Sequence, residues 1–481
     1  MRKMHHLVLA GIVVALGGSP AAAEDLLQVY RQAQDSDPVL KAAAATQQAS
    51  QEALPQARAL LLPSLDGSVQ GGKDFGTNDA SAGSSRDYSF DTYNYSVSLN
   101  QPIYNRGNQV QQRLAKSTID KADVDFRNTQ SDLILRVAQG YFGVLIALDS
   151  LTFATAEKNA FARQLEQANR RFEVGLATIT DVYDAQASFD GAVSREISAI
   201  NALADAREQL RQLTGLEYAR LSILSEKMPL SLPNPQNPEE WVGMALANNL
   251  ELLSAGFSVD QARENINVQK AGHYPTLGLN VSSAMYNPGE LDTTLNRVNL
   301  QLAIPLYSGG AVSSRSRQAA YTYESSRQQL ENLQRDTIRV VRDAYRGQET
   351  AISQIKAMNQ TRISTRSALE ANQAGYEVGT RTIVDVLNAE RSVYQAERDY
   401  ASARYNYILN FLTLRQAAGQ LSEADLTEIN GWLGEALSTS GPGTMPEITA
   451  KPLEPEEPAK PAPARNKANG KSAEKTKPAA K

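Results

Sequence analysis

Proline is absent from two long stretches of this sequence, residues 103–228 and residues 306–441. Because proline removes a backbone donor and clashes with the preceding turn, it breaks the interior of a helix. Each stretch can therefore be almost wholly helical. At 1.5 Å per residue, the segment from Arg106 to Phe172 would form a helix about 100 Å long. A second segment follows from Thr178 to Gly215, and the first is too long for an ordinary globular core.

A duplicated motif divides each proline-free stretch. Residues 375–394 read GYEVGTRTIVDVLNAERSVY, residues 172–189 read FEVGLATITDVYDAQASF, and nine of the seventeen pairs between Phe172/Tyr376 and Ser188/Ser392 are identical. In each copy a Gly can end one helix in the left-handed conformation, and a Thr with an Asp three residues later can cap the next. These residues are Gly175, Thr178 and Asp181 in the first copy and Gly379, Thr382 and Asp385 in the second. The motif predicts a tight turn between helices.

The first 23 residues have the pattern of a secretory signal peptide. A basic start precedes an apolar run from Leu7 to Leu16, and an Ala-x-Ala site ends at Ala23. The apolar run is too short to be a spanning anchor helix, and no later stretch has about 18 uninterrupted apolar residues. We therefore expect an exported chain that begins near Glu24 and has no transmembrane helix.

The composition excludes most catalytic chemistry. The chain has no cysteine, and of its three histidines only His273 lies beyond the signal peptide. Disulfides, thiolate metal sites and cysteine nucleophiles are excluded, and most metal sites and catalytic triads cannot be assembled. No Gly-x-Ser-x-Gly elbow is present, so a secreted hydrolase is a poor interpretation. The net charge of −5 argues against a nucleic-acid partner. We predict no enzyme activity, no metal and no cofactor.

The helical segments carry a narrow apolar stripe. Apolar residues recur at alternating spacings of three and four, with Ala, Ser, Gln and Arg around them, which is typical of a coiled-coil seam. Polar residues interrupt the stripe at Gln186, Glu390 and Arg404. A filamentous coiled coil would show the same stripe, because heptad patterning says nothing of a lumen. The stripes alone leave that alternative open.

Alternating segments ahead of each proline-free stretch predict two β-hairpins. Tyr93 to Pro102 has a partner at Leu65 to Gly71, and Val298 to Leu306 has a partner at Leu277 to Met285. The first hairpin is expected to have a long Gly, Ser and Asp-rich tip, residues 73–87, and the second a short tip that begins at Asn287.

Each predicted strand has one apolar and one polar face, as in an outer-membrane barrel. A soluble antiparallel sheet with one buried face is the alternative. Four strands cannot close a barrel, which needs about eight, so the barrel interpretation requires several chains around one pore. The predicted fold class is mixed but mostly α, with long coiled-coil helices that form an α-helical barrel and a small transmembrane β-barrel of four strands per chain.

The predicted domains follow the repeats. Residues 1–23 are the signal peptide, 24–225 the first repeat, and 226–240 a proline-rich linker. The second repeat spans residues 241–437. Residues 438–481 form a tail rich in Pro, Lys and Glu, which we expect to be disordered.

The sequence resembles the TolC outer-membrane channel-tunnel family over nearly all of the chain before the tail. The resemblance rests on GYEVGTRTIVDVL and its copy FEVGLATITDV, on the strand exits IYNRG and IPLYSGG, and on ARYNYILNFL. It implies a homotrimer whose twelve strands form one outer-membrane barrel in contact with lipid, with an α-helical barrel in the periplasm. It also implies an equatorial belt, formed near residues 229–241 and 419–437.

The resemblance places a periplasmic gate at the duplicated turns. Tyr376 and Arg381 are similar to residues that hold the closed state, Thr180 and Asp181 to their partners, and Asp385 to an acidic ring at the constriction. A second acidic position of the family is Asn388 here, and its counterpart in the first copy is Asp184, so the charge of the inner ring is open. Asp181 and Asp385 also fit a plain helix-capping role. Arg381 and Tyr376 have Ala177 and Phe172 as counterparts, which favours a task that one copy alone performs.

The expected function is a passive outer-membrane exit duct for efflux or type I secretion. An inner-membrane transporter would supply the motive force through a periplasmic adaptor protein, and the sequence names neither these partners nor the cargo. The alternative is a periplasmic coiled-coil adaptor or structural protein without a pore.

Overall fold

A computed structural model describes residues 24–80, 84–226, 228–288 and 292–438. The predicted signal peptide, the tail beyond residue 438 and the centres of both hairpin tips lie outside the described residues. The predicted domain boundaries at residues 225 and 240 stay predictions.

The described chain is mostly helical and confirms the predicted fold class. The helices are α1 (Leu26–Ser36), α2 (Pro38–Gln51), α3 (Ala53–Ala59), α4 (Arg106–Glu173), α5 (Ile179–Thr214), α6 (Pro238–Asn248), α7 (Leu250–Lys270), α8 (Ala311–Glu377), α9 (Ile383–Ala417) and α10 (Glu423–Asn430). Helices α4 and α8 contain 68 and 67 residues. Each is about 100 Å long at 1.5 Å per residue, as the proline-free stretches predict.

The six described strands are β1 (Ser64–Ala80), β2 (Ser84–Tyr104), β3 (Arg220–Leu224), β4 (Thr276–Pro288), β5 (Thr293–Ala303) and β6 (Leu433–Ser438). Two hairpins form one antiparallel sheet in the order β1-β2-β4-β5, and β3 pairs with β6 in a second sheet. Within the described chain, β1 and β5 are the edges of the larger sheet.

Two details of the predicted hairpins are wrong. Most of the predicted loop at residues 73–87 is strand, because β1 and β2 continue to pair as far as Ala80 and Ser84. Strand β5 ends at Ala303, short of the predicted Leu306, because Pro305 has no N–H for a ladder hydrogen bond.

The larger sheet has the two chemically distinct faces that the alternation predicts. One row across its four strands is Leu65, Leu99, Val281 and Val298, and the next row is Asp66, Ser98, Ser282 and Arg297. On the polar face, the Asn280 side chain donates to Asn100 at 2.6 Å. On the apolar face, Leu65 and Val298 are 70% and 71% exposed. No described part of the chain covers the apolar row, so a soluble sheet with one buried face is not formed within one chain.

The main core lies where α4 and α9 cross the smaller sheet. It contains Tyr141, Phe142 and Leu145 of α4 with Tyr407 and Ile408 of α9. The Tyr141 hydroxyl donates to the Ser222 carbonyl oxygen at 2.7 Å. This core explains the composition of α4, the one described helix with a window apolar enough to cross a membrane. Over half of that window, 56%, is buried within the chain.

Buried charged side chains join α4, α5 and α9 between this core and the helix turns. The carboxylate of Glu157 is fully buried and accepts two hydrogen bonds from Arg195, at 2.8 and 3.1 Å. Arg398 of α9 approaches the same carboxylate at 3.5 Å. Because breaking a buried ion pair leaves an uncompensated charge, loss of Arg195 would weaken the contact between these helices.

Glu390, one of the polar interruptions of the stripe, is buried beside this cluster. Its Oε2 atom has no hydrogen-bond partner among the described residues. Burial raises the pKa of Glu390, and the Glu157 carboxylate adds to the rise. The Arg163 cation and a hydrogen bond from Gln164 oppose it. The neutral form of Glu390 is therefore the one that the packed helices favour.

We predict that Glu390→Gln stabilises the protein more at pH 8 than at pH 4. The stabilising contribution of a carboxyl with a raised pKa is complete below its unfolded value, about 4.3, and is lost as the pH rises through the folded value. At pH 8 the gain is expected to be about 1–3 kcal/mol, because the amide avoids the burial of a carboxylate charge. Thermal unfolding followed by circular dichroism at both pH values measures it. The same substitution at the exposed Glu370 is the control, and an equal gain at both pH values would contradict the prediction.

Candidate gate at the duplicated turns

The first duplicated turn has the capping geometry that the sequence predicts. Gly175 has a φ of 74°, and the Leu176 N–H donates to the Arg171 carbonyl oxygen at 2.7 Å, which closes the end of α4. At the start of α5, the Thr178 N–H donates to the Asp181 carboxylate at 2.8 Å, and the Asp181 N–H donates to the Thr178 hydroxyl at 3.3 Å. Two donors of the helix N-terminus are satisfied reciprocally.

The second turn repeats this arrangement with an additional hydrogen bond. Gly379 has a φ of 78°, and the Thr380 N–H donates to the Gly375 carbonyl oxygen at 2.8 Å. The Thr382 N–H and hydroxyl both donate to the Asp385 carboxylate, at 3.0 and 2.9 Å. These two bonds from Thr382, with a smaller effect of the Arg381 cation, lower the pKa of Asp385. Asp385 is therefore a carboxylate at neutral pH.

A small apolar cluster joins the two turns. It contains Phe161 and Ala168 of α4, Ala185 and Ala192 of α5, and Ile383 and Leu387 of α9. The Tyr376 ring at the end of α8 packs against it as a partly buried member. The cluster brings the ends of both helical pairs to one place.

Tyr376 has a partner that the sequence analysis missed. The Arg171 guanidinium, in the last turn of α4, lies over the Tyr376 ring at 4.6 Å from its centre. A cation–π contact of this kind contributes about 0.5–1 kcal/mol at exposed sites. Within each chain it joins the first helical pair to the second. One sequence feature could have indicated this contact: the two copies differ here, and the residue equivalent to Arg171 in the second copy is Gly375.

Arg381 is exposed, and its side chain has no hydrogen bond or ion pair with any residue in the described ranges. Thr180 shares a hydrogen bond of 2.6 Å with the Thr178 hydroxyl, and Asp181 is engaged in its cap. Within one chain, the structure therefore does not pair Thr180 or Asp181 with Tyr376 or Arg381. Their role as partners stays a prediction.

The two positions of uncertain ring charge are both exposed. Asp184 and Asn388 lie one turn beyond the caps of α5 and α9, at equivalent places in the two copies. The Asn388 side chain has a long contact of 3.4 Å from Arg391. The Asp184 and Asn388 side chains can thus face solvent or another chain.

The tips of both turns expose apolar side chains. Val174, Leu176 and Val378 are 69%, 74% and 75% exposed. Among the described residues, no group of three or more His, Asp or Glu side chains is arranged to hold a metal ion. The described turns therefore offer helix caps, the Arg171 cation on the Tyr376 ring and an exposed apolar surface.

Comparisons with known proteins agree with this architecture. The family described as Outer membrane efflux protein matches residues 29–216 and 241–420. Outer membrane protein TolC of Vibrio cholerae serotype O1 is 39% identical over 442 residues, which cover 90% of this chain and 99% of the relative. Alkaline protease secretion protein AprF of Pseudomonas aeruginosa is 32% identical, and the matched residues cover 87% of this chain and 89% of that relative.

A solved structure shares the fold at low identity. The outer membrane protein VceC from Vibrio cholerae has a TM-score of 0.69 and 18% sequence identity, covering 82% of this chain and 96% of that one. The resemblance found in the sequence motifs is confirmed.

Proposed function

The chain belongs to the outer membrane efflux protein family, and on that premise we propose that it forms a passive exit duct across the outer membrane. The proposal rests on one observation. A single chain contains both a sheet with one apolar and one polar face and helices about 100 Å long. The apolar face would contact lipid, the polar face would line a water-filled pore, and the helices would extend into the periplasm.

The duct would be a homotrimer. The sheet contributes four strands, and β1 and β5 are its edges within the described chain. Three copies supply twelve strands, enough to close a barrel that four cannot. Closure also satisfies the edge N–H and C=O groups, which are costly to leave unpaired in lipid.

The duplicated turns would form its periplasmic gate. Tyr376 and Arg381 would hold the inner coils, with Thr180 and Asp181 as partners from the outer coils. Asp385 would supply one carboxylate per chain around the axis, and Asp184 and Asn388 would set the remaining charge of the constriction. Opening would be an iris-like rotation of the inner coils once the polar contacts of Tyr376 and Arg381 break.

A periplasmic adaptor protein and an inner-membrane transporter would complete the system. Support for such partners comes from the names of the relatives, which include a secretion protein and efflux proteins. The exposed Val174, Leu176 and Val378 offer an apolar surface at the periplasmic tips. Cargo selection would belong to the transporter, because the turns contain no built ligand site among the described residues.

A periplasmic coiled-coil adaptor without a pore is the less favoured candidate. Such a protein would not need a four-stranded sheet with an uncovered apolar face. The family consists of channel proteins, and we propose that this chain likewise catalyses no reaction.

We predict that Arg381→Ser, alone or with Tyr376→Phe, raises single-channel conductance in planar bilayers. Loss of the guanidinium removes a polar contact that would hold the inner coils, so the constriction widens. Arg315→Ser, which removes an exposed cation near the start of α8 and far from the turns, serves as the matched control. Unchanged conductance in both gate variants would remove Arg381 from the gate.

We also predict that divalent cations block the pore from the periplasmic side and that Asp385→Ala relieves the block. Three carboxylates around one axis attract a divalent cation strongly, because negative charges at close range make the local potential strongly negative. Asp385→Asn keeps an oxygen for the cap and removes only the charge, so it should relieve the block equally. A block that persists in both variants would place the ring elsewhere, with Asp184 the next residue to replace.

A further inference from the structure

Three of the positions at which the two copies of the turn differ lie close together. Arg171, Phe172 and Ala177 of the first copy correspond to Gly375, Tyr376 and Arg381 of the second. Two of these residues, Tyr376 and Arg381, are the proposed gate residues. Arg171 and Gly375 occupy the same position in the repeat and have no role assigned above.

Arg171 contacts one of the gate side chains directly. Its guanidinium lies 4.6 Å from the centre of the Tyr376 ring. Neighbouring Arg170 is ion-paired with Glu166, whereas Arg171 has no ion pair with any carboxylate in the described ranges. The guanidinium charge is thus directed to the ring face, where the negative potential of an aromatic ring attracts it.

Gly375 makes room for the other gate side chain. A Cβ atom at Gly375 would lie 2.6 Å from Cγ and 3.3 Å from Cβ of Arg381. These atoms are at the root of the Arg381 side chain, so a clash cannot be relieved by moving its far end. The Gly375 carbonyl oxygen also accepts from the N–H groups of Thr380 and Arg381, at 2.8 and 3.2 Å, which fixes the backbone below the side chain. Only glycine permits the observed path of Arg381.

We propose that Arg171 and Gly375 are positioning residues of the gate: Arg171 holds the Tyr376 ring against the end of α4, and Gly375 sets the direction of the Arg381 side chain. The inference rests on the proposed gate function of Tyr376 and Arg381. Because the two residues occupy one repeat position, their difference would convert a symmetric pair of turns into a pair in which only the second copy closes the duct.

Gly375→Ala tests the second half of the proposal. The added methyl group should displace Arg381 without removing its charge, and so raise single-channel conductance to the level of Arg381→Ser. In an Arg381→Ser background, Gly375→Ala should add little, since no guanidinium is left to displace. The control is Gly347→Ala in the same helix, where a Cβ would meet nothing closer than 3.9 Å. Wild-type conductance in Gly375→Ala, or full additivity with Arg381→Ser, would overturn the assignment of Gly375.

Arg171→Gln tests the first half. The ratio of open to closed times should rise about two- to five-fold, the factor that an exposed cation–π contact represents. The rise should persist in a Tyr376→Phe background, which keeps the ring, and vanish in a Tyr376→Leu background, which does not. Arg171→Lys should restore part of the closed time. An Arg171→Gln effect that is absent, or equal in all three backgrounds, would overturn the assignment of Arg171.

The same recordings separate this inference from the proposed function. If Arg381→Ser opens the channel but neither Gly375→Ala nor Arg171→Gln does, the proposed duct is supported and the positioning roles of Gly375 and Arg171 are contradicted. If purified wild-type protein forms no conducting channel, both fail. Should Gly375→Ala prevent assembly, the Arg171 variants, which leave the backbone of the turn unchanged, still decide the claim about Tyr376.

Discussion

Unsatisfied strand edges are the constraint on which the rest of this structure depends. The four-stranded sheet ends at β1 and β5 within the described chain, and its apolar face is uncovered. In a lipid bilayer an open edge is costly, because no water can bond its N–H and C=O groups. In the proposed duct, the chain would therefore gain its spanning structure only with other copies. Helix α4 begins just after β2, and α8 follows β5 after a short connection, so both long helices would share the symmetry that closure of the barrel imposes.

At the opposite end of the helices, hydrogen bonds between neighbouring residues determine the path of the chain. A left-handed Gly and a Thr/Asp capping box reverse the chain within about five residues in both copies, so each helical pair ends at one level. A small apolar cluster then joins the two pairs, and the Arg171–Tyr376 contact adds a polar link between them. Such a link is weak compared with the buried Glu157 cluster further along α4. The proposed gate would need this contrast between contacts that break at the turns and contacts that persist along the helices.

The sequence predicted the parts of this structure that depend on neighbouring residues. The turns, with Gly379 and Thr382, were predicted residue by residue because caps are local. The full length of β1 was not predicted. Its Gly-rich end has little strand propensity of its own and is held in the strand by pairing with β2. The Arg171–Tyr376 contact joins residues 205 positions apart in the chain. No local pattern encodes such a contact, and only the difference between Arg171 and its counterpart Gly375 in the second copy could have indicated it.

The central claim is that three copies of this chain form one continuous duct, and particle symmetry tests it most directly. Electron cryomicroscopy of the purified protein in detergent or a lipid disc should show three-fold particles longer than about 100 Å, the length of α4 alone. The map should contain a ring of strands at one end and a ring of paired helices leading from it. Particles without three-fold symmetry, or with an open four-stranded sheet in each chain, would contradict the account.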